Sequence, residues 1–594
     1  MPEHILVSIA WPYASAKIHV GNVTGSHLPG DIFARYHRMA GNHVLMVSGS
    51  DSHGTPVTVR AEEEEKSPRE VFEAFHLEFL ELFQGLGISY DLFTHTDTEN
   101  HHRVSQDFFC ALLDGDYLYN ETQEQMYSPA QERFLPDRYV EGTCPVCGYE
   151  SARGDQCDNC NTLLDPDELI DPRSALDGST PVLRETEHYF LDLPQLAREG
   201  LAQWLALNKE HWRPNVINFA RNYVNEGLQG RPITRDLKWG IPVPLEGWED
   251  KCLYVWFEAV IGYFSASVEW ARNSGHPEAW KDWWYEPAAK TVYFIGKDNI
   301  PFHAVIWPAE LMGVKRLYED DSSQVLNLPY DVPANEFMNL EGRGMSGSRN
   351  WAVWADEALE RYDPDAIRYY LTAAMPETRD TYWTWDEFVH RNNKELVGTW
   401  GNLAHRALTF AYKRFDGQVP APGTLDEVDE DLLKQAEERF DRVGELLAGC
   451  HFRTALGEVM ELAREANRYL EEKGPWFQIK EDREAAGTTI YVVLKTIDSL
   501  KILFAPFLPF SSERLHRYLG YQDDLFGRQY TETFEEEGGR VHEALCYDDS
   551  TATGEWKPSK LPPGQELREP QPLFESLDED VIDEELARLG META

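Results

Sequence analysis

Two short strings carry residue types that could do chemistry. The first is C-x2-C-x9-C-x2-C, formed by Cys144, Cys147, Cys157 and Cys160. Thiolates in two such pairs close a tetrahedron round one Zn²⁺ and leave no position for water, so the spacing predicts a structural metal rather than a catalytic one. Gly148, after the second cysteine, permits the tight turn a knuckle needs. Four unligated buried thiols are the plainer alternative. The second string is LEGRGMSGSRNW, residues 340–351, with Arg343 and Arg349 towards its ends, hydroxyls at Ser346 and Ser348, and glycines at Gly344 and Gly347. It has the build of a phosphate-handling loop without lysines at its centre.

Other candidates need elements to bring them together. HILVSIA reads as a short apolar strand, broken by WPYASAKIHVGN; GDIFARYHRMAG reads as a helix stopped at Gly41, and VLMVSGSDSHG as a second buried strand. Strand, loop, helix and strand form a parallel nucleotide-binding unit whose ligand lies beyond the carboxyl ends of the strands. His19, Gly21 and Asn22 follow the first strand, and Asp51 and His53 follow the second, so both sets face one crevice. The sheet is expected to resume at KCLYVWFEAVIGYFSAS and KTVYFIGKDNIPFHAVIWPAEL. There Trp256, Tyr263 and His303 stand beside small residues such as Ala259 and Gly262, a lining suited to a medium-sized apolar side chain; aromatic core filler is the alternative. After residue 390 the pattern is helical. Leu433, Ala436, Phe440, Val443 and Leu447 make one apolar stripe, LGEVMELAREANRYL starts another, and the acidic, Pro-rich segment from about residue 530 is expected to be extended apart from a helix at DEELARL.

Composition bounds the class. A chain of 594 residues is too long for one core, while 42% hydrophobic and 12% aromatic residues can fill several. Asp+Glu is 103 against Lys+Arg at 55, a formal net charge of -48 spread along the whole chain. Such a protein repels itself and nucleic acid at ordinary salt, but near 1 M salt the Debye length falls to about 3 Å, which points to a halophile's cytosol. The start has no basic leader, and no apolar run approaches the ~18 residues of a membrane span. Of 8 cysteines, four are clustered and four scattered, a pattern for a metal in a reducing compartment rather than for disulfides.

WPYASAKIHVGN, SGSDSHGTPV, the paired knuckles, LYVWFEAVIGY, GKDNIPFHAVIWPA, RYDPDAIRYYL and WGNLAHR…NRYLEEKGPW resemble, in order and spacing, the methionyl-tRNA synthetases, a class I aminoacyl-tRNA synthetase family. The resemblance runs to about residue 520 and is closest to the type whose anticodon domain ends the protein. It implies an α/β Rossmann-type catalytic domain with an inserted zinc-knuckle lobe, followed by an all-α anticodon-binding bundle. The corresponding limits are 1–117 and 236–330 for the catalytic halves, 118–235 for the lobe, 331–390 for a stem-contact region, 391–530 for the bundle and 531–594 for a C-terminal extension.

The resemblance also implies roles. His19 matches the first histidine of the HIGH signature, which meets ATP phosphates at a helix N-terminus. Gly21 leaves room for adenine, and Asn22 stands where HIGH has its second histidine. Asp51 matches the carboxylate that holds the substrate ammonium; Tyr13, Trp256, Ala259, Tyr263 and His303 match the methionine pocket, where a thioether packs on aromatic edges; Asp298 lies near the ribose. Asn402, Arg406, Asn467 and Trp476 match residues that read the CAU anticodon by stacking and base-edge hydrogen bonds. A solvated helix face is the alternative for Asn402 and Arg406. RGMSGSR aligns with the KMSKS signature, whose lysines neutralise the pyrophosphate leaving group, and here Gly344 and Gly347 replace both lysines. Arg343 or Arg349 could refill the site, since arginine is the better bidentate phosphate clamp. The family reaction uses ATP with Mg²⁺, L-methionine and tRNA(Met), and a cytoplasmic monomer is expected. Two readings follow: an active methionine–tRNA ligase, or a paralogue that binds tRNA or an amino acid with weak activation. Retention of the pocket, the knuckles and the anticodon set favours the ligase.

Overall fold

The protein is described from a computed structural model covering residues 2–136, 139–154, 157, 159–160, 164, 166–345 and 351–589; Ser346, Gly347, Ser348 and Arg349 lie outside them. Seven strands form the central sheet: β1 (His4–Ile9), β2 (His43–Ser50), β3 (Leu92–His95), β4 (Lys290–Gly296), β5 (Ala334–Asn335), β6 (Arg528–Glu535) and β7 (Val541–Asp548), in spatial order β5-β4-β1-β2-β3-β7-β6. The first five are parallel, with Val7 opposite Val292 on one side and Met46 on the other. Ile5, Leu6, Val7 and Ile9 are fully buried, as a strand covered on both faces requires. The helix after β1 begins at Val20 rather than Gly30, passes through a π turn at Val23–His27 and continues as α1 (Leu28–Met39). Gly41, at φ +84°, reverses the chain into β2.

Two expectations fail. The segment KCLYVWFEAVIGYFSAS does not resume the sheet: apart from a two-residue strand at Cys252–Leu253 it is helix α3 (Val255–Asn273), which packs beside α2 (Glu99–Asp114). It is buried nearly all round, with apolar residues on most sides and its few polar groups buried as well, and such a run has little period to separate helix from strand. The segment from about residue 530 is not an unpaired extended tail throughout. β6 and β7 form a hairpin that adds to the sheet edge, with Leu545 opposite Phe93. Its buried His542, Ala544, Leu545 and Cys546 sit within a sequence whose acids obscure the alternation. Beyond it the chain does run extended, then ends in the helix Asp580–Arg588, where Glu585 accepts from Tyr362 Oη at 2.7 Å.

The lobe between β3 and β4 is built on a hairpin, Leu118–Ser128 against Val182–Leu191, with a small three-stranded sheet at its tip. The tip core contains only nine buried apolar side chains among the described residues, including Met126, Tyr139, Cys144 and Cys157. A core this small needs a staple. The C-terminal helices are α4 (Asn402–Arg414), α5 (Glu427–Ala448), α6 (Phe452–Lys473) and α7 (Arg483–Phe504). Ala436, Phe440, Val443 and Leu447 of α5 are buried, as the apolar stripe predicts. Two arginines, the buried Arg368 and the half-buried Arg213, dock these helices on the catalytic domain. Arg368 donates to Asp31 Oδ2 at 2.7 Å and to the Phe507 and Pro506 carbonyls at 2.9 Å. Arg213 donates to Asn335 Oδ1 at 2.6 Å and to the Cys450 carbonyl at 3.1 Å.

Candidate active site

The carboxyl ends of β1, β2 and β4 bring the predicted pocket residues together. Just past β1 and β2, Tyr13 and Asp51 pair in a parallel bridge: Ala14 N–H donates to the Asp51 carbonyl at 2.9 Å, and Asp51 N–H to the Pro12 carbonyl at 2.8 Å. Helix α3 supplies Trp256, Ala259 and Tyr263, spaced three and four apart so that they share a face. Tyr13 meets Trp256 edge-on at 6.0 Å, and Trp256 stacks on Phe302 at 4.0 Å. His303, next to Phe302, donates from Nδ1 to the Asn299 carbonyl at 3.0 Å. That leaves Nε2 to accept from Tyr263 Oη at 2.6 Å. Burial lowers the His303 pKa to about 4, so the ring is neutral at physiological pH, while burial also keeps Tyr263 a phenol. Gly262 is required: a Cβ there would stand 2.7 Å from the Trp11 ring.

Asp51 is buried, and burial followed by the nearby Glu258 carboxylate pushes its pKa well above the usual range. A cation placed against it would relieve both effects. Glu258 lies in the middle of the apolar stretch LYVWFEAVIGY and was not singled out by sequence reasoning, although a lone carboxylate in such a run was the available signal. Its two oxygens take His53 Nδ1 at 2.8 Å and His101 Nε2 at 2.7 Å. Burial opposes charge on His53, but Glu258 and Asp97 outweigh it and raise the imidazole to about 10. A cleft of about 930 Å³ runs from Tyr13, His53 and Trp256 towards Gln123, Leu135 and Arg235 of the lobe.

His19 caps the helix that begins at Val20. Its Nδ1 accepts from Asn22 N–H at 3.2 Å, and Asn22 Oδ1 accepts from His19 N–H at 3.2 Å, a reciprocal capping box. Among the described residues neither the Asn22 amide nitrogen nor His19 Nε2 makes a further hydrogen bond. Gly21 is tight, since a Cβ would lie 2.9 Å from the His19 ring. Asp298 sits in the turn after β4, with Oδ1 folded back over Gly296. Arg343 is exposed at the end of a tight turn, closed by hydrogen bonds of 2.7 and 2.9 Å with Leu340, and its guanidinium lies 5.2 Å from the Trp351 ring centre.

The four knuckle thiols converge. Cys144 and Cys160 Sγ are 3.8 Å apart, Cys147 and Cys157 Sγ 3.6 Å, and all four lie within 4.8 Å of one another. Zn–S bonds of about 2.3 Å arranged tetrahedrally set sulfurs about 3.8 Å apart, so this donor set fits that ion. Gly148, at φ +75°, makes the predicted turn.

In the helical domain the Arg406 guanidinium lies 4.8 Å over the Trp476 ring. Trp476 is half-buried against the core, and Phe477 beside it is 68% exposed. Asn467 spends its amide N–H groups on the Thr399 and Ala463 carbonyls, both at 3.0 Å, which leaves the carbonyl oxygen as the group able to face a base. Asn402 is exposed at the start of α4.

A Rossmann-like sheet interrupted by a lobe, a cleft at its strand ends and a helical domain behind it is the architecture of a class I aminoacyl-tRNA synthetase. A family profile described as tRNA synthetases class I (M) matches residues 5–408, and one described as the anticodon binding domain of methionyl tRNA ligase matches residues 419–543. A methionine–tRNA ligase of Thermomicrobium roseum is 57% identical over 591 residues, covering 99% of each chain, and one of Roseiflexus sp. is 54% identical over 99% of each. A solved structure of Mycobacterium tuberculosis methionyl-tRNA synthetase in complex with methionyl-adenylate superposes with a TM-score of 0.74 at 25% identity, over 96% of this chain and 99% of that one. The chain belongs to the class I methionyl-tRNA synthetase family.

Proposed function

We propose that this chain joins L-methionine to tRNA(Met) in two steps: attack of the methionine carboxylate on the α-phosphate of ATP gives methionyl-adenylate and pyrophosphate, and the terminal ribose of the tRNA then takes the acyl group. The full-length identity to methionine–tRNA ligases carries the reading. Asp51 receives the substrate ammonium. Tyr13, Trp256, Ala259, Tyr263 and His303 enclose the thioether, with the neutral His303 fixing the Tyr263 hydroxyl. His19 Nε2, the Asn22 amide and the backbone at Gly21 face the ATP phosphates and adenine, and Asp298 the ribose; Mg²⁺ arrives with ATP as part of the substrate. Arg343, with Ser346, Gly347, Ser348 and Arg349 beyond it, forms the altered KMSKS loop, in which an arginine serves the leaving pyrophosphate.

Cys144, Cys147, Cys157 and Cys160 hold one zinc ion, which when bound staples the tip of the lobe. Asn402, Arg406, Asn467 and Trp476 read the anticodon, supported by the cation–aromatic pair and the exposed Phe477. The proposed limits are residues 1–117 and 236–330 for the catalytic halves, 118–235 for the lobe, 331–390 for the stem-contact region and 391–530 for the anticodon bundle, with the hairpin of 528–548 returning to the sheet. The charge of -48 supports work at high salt in a cytosol. Among the described residues no helix is long and apolar enough to cross a membrane.

The test is pyrophosphate exchange across a KCl series, with methionine and the other amino acids in turn, followed by aminoacylation of tRNA(Met). Methionine-specific exchange and charging are the expected result. Tight methionine or tRNA binding without exchange at any salt would instead select the non-activating paralogue, for which the missing lysines at Gly344 and Gly347 are the motive.

A further inference from the structure

Three cationic groups, Arg69, Arg540 and the His53 imidazolium, and the imidazole of His102 converge on one buried carboxylate, Asp97. Arg69 Nη2 lies 2.6 Å and Arg540 Nη1 3.3 Å from Oδ2; His102 Nε2 lies 3.3 Å and His53 Nε2 3.5 Å from Oδ1. Arg540 stands in the turn of the C-terminal hairpin, 443 residues from Asp97 in sequence. It also donates to the Asp97 carbonyl at 2.5 Å and to Glu536 at 2.9 Å. The contacts continue inward. His53 Nδ1 meets Glu258 at 2.8 Å, and His53 N–H reaches Asp51 Oδ1 at 3.3 Å. Arg540, Asp97, His53 and Asp51 therefore form a chain of contacts from the hairpin to the pocket, in which the Asp97–His53 step is an ion pair at 3.5 Å rather than a hydrogen bond and the last step is made by the His53 backbone.

The hairpin grips the pocket helix at a second point. His542 of β7 lies between Glu536 of the hairpin turn (3.0 Å) and Glu269 of α3 (2.9 Å), and Thr94 Oγ1 also donates to Glu269 at 3.0 Å. Glu258 and Glu269 are eleven residues apart on α3, three turns along the same face. The helix that carries Trp256, Ala259 and Tyr263 is thus held by the hairpin through one buried glutamate and through the charge cluster at the other.

We propose that the C-terminal hairpin is part of the methionine-binding machinery, with Arg540 a positioning residue that acts through Asp97 and His53 on Asp51. The physical reason is charge balance. Asp51 and Glu258 are neighbouring buried carboxylates, and the field of Asp51 is available to a substrate ammonium only while His53 stays against Glu258. Asp97 competes for the same imidazole from its other side. Arg540 and Arg69 offset Asp97 and leave His53 with Glu258; without Arg540 the surplus charge on Asp97 draws the imidazole outward, and Asp51 is left against a carboxylate held by His101 alone. Two guanidinium groups on Asp97 also oppose a divalent cation in the His53–Asp97–His102 triad. The inference rests on the reading of Asp51 as the ammonium-binding group.

Arg540→Ala and Arg540→Lys in the full chain, assayed by pyrophosphate exchange in molar KCl with separate KM values for methionine and ATP, test it. The expected result for Arg540→Ala is a methionine KM raised about tenfold, with ATP KM and kcat within about twofold of the parent, and recovery of most of that loss in Arg540→Lys. An unchanged methionine KM overturns the proposal, and so does a parallel rise in both KM values with a fall in Tm, the mark of a structural role alone. Should Arg540→Ala fail to fold, Arg540→Gln, which keeps a donor to Asp97 and Glu536, carries the same comparison. Asp51→Asn separates the two readings. A methionine KM raised by Asp51→Asn but not by Arg540→Ala rejects the hairpin's role only; one raised by neither rejects the site assignment itself.

Discussion

The backbone N–H of Val20 donates to the carbonyl of Val353 at 2.9 Å. Ala355 N–H returns the contact to the Ile18 carbonyl at 3.0 Å, and His19 bridges Trp354 between them. The segment that follows the 340–351 stretch and the stretch that carries His19 are thereby joined by main-chain hydrogen bonds.

The loop yields the first prediction. Arg343 is exposed and rests over Trp351, and Arg343→Ala should lower the single-turnover rate of adenylate formation by roughly 30- to 1,000-fold while methionine KM stays near the parent value. Gly344→Lys should speed adenylation or partly rescue Arg343→Ala. Among the described residues a Cβ at Gly344 meets only Asn339 Oδ1, at 3.8 Å. Rates unmoved by either change would remove Arg343 from the reaction.

Trp476 should matter to tRNA and not to adenylation. Its ring is half-buried under Arg406, which offers a stacking surface with a cation behind it. Trp476→Ala is expected to cost about 1–3 kcal/mol of tRNA interaction, read as a higher tRNA KM in aminoacylation, with methionine-dependent exchange near normal. Equal loss in both assays would mark the ring as core.

Metal removal should act on stability before chemistry. With a tip core of nine buried apolar side chains among the described residues, loss of one thiolate in Cys147→Ser or Cys157→Ser should release zinc and unfold the lobe. Metal analysis and limited proteolysis read this directly. Full zinc content with an unchanged digestion pattern would contradict it.

The hairpin should give the protein a pH-dependent grip. Burial opposes charge on His542, but Glu269 and Glu536 raise its pKa to about 9 from an ordinary 6.5. The folded state therefore binds more protons than the unfolded one between those values, and the stabilisation is complete below pH 6.5 and lost as pH rises through about 9. The Tm difference between parent and His542→Gln should be flat below pH 6.5 and shrink above it. A difference independent of pH from 6 to 10 would show that the ring acts by packing alone.

The sequence by itself determined what depends on local order. The C-x2-C-x9-C-x2-C spacing suffices to put four sulfurs within reach of one ion, because two short turns do the folding. The period of Ala436, Phe440, Val443 and Leu447 suffices to define a buried helix face. The stretch 255–273 was not legible in the same way, because a helix buried nearly all round has little polar face to reveal its period, and Glu258, its one buried charge near the pocket, has partners at His53 and His101 that no spacing predicts. Only the tertiary structure decided that the hairpin of Arg528–Asp548 would extend the sheet at Leu92 and Phe93. A strand pairs with whichever open edge presents unsatisfied N–H and C=O groups and a matching apolar face, and that edge was made by residues at the other end of the chain.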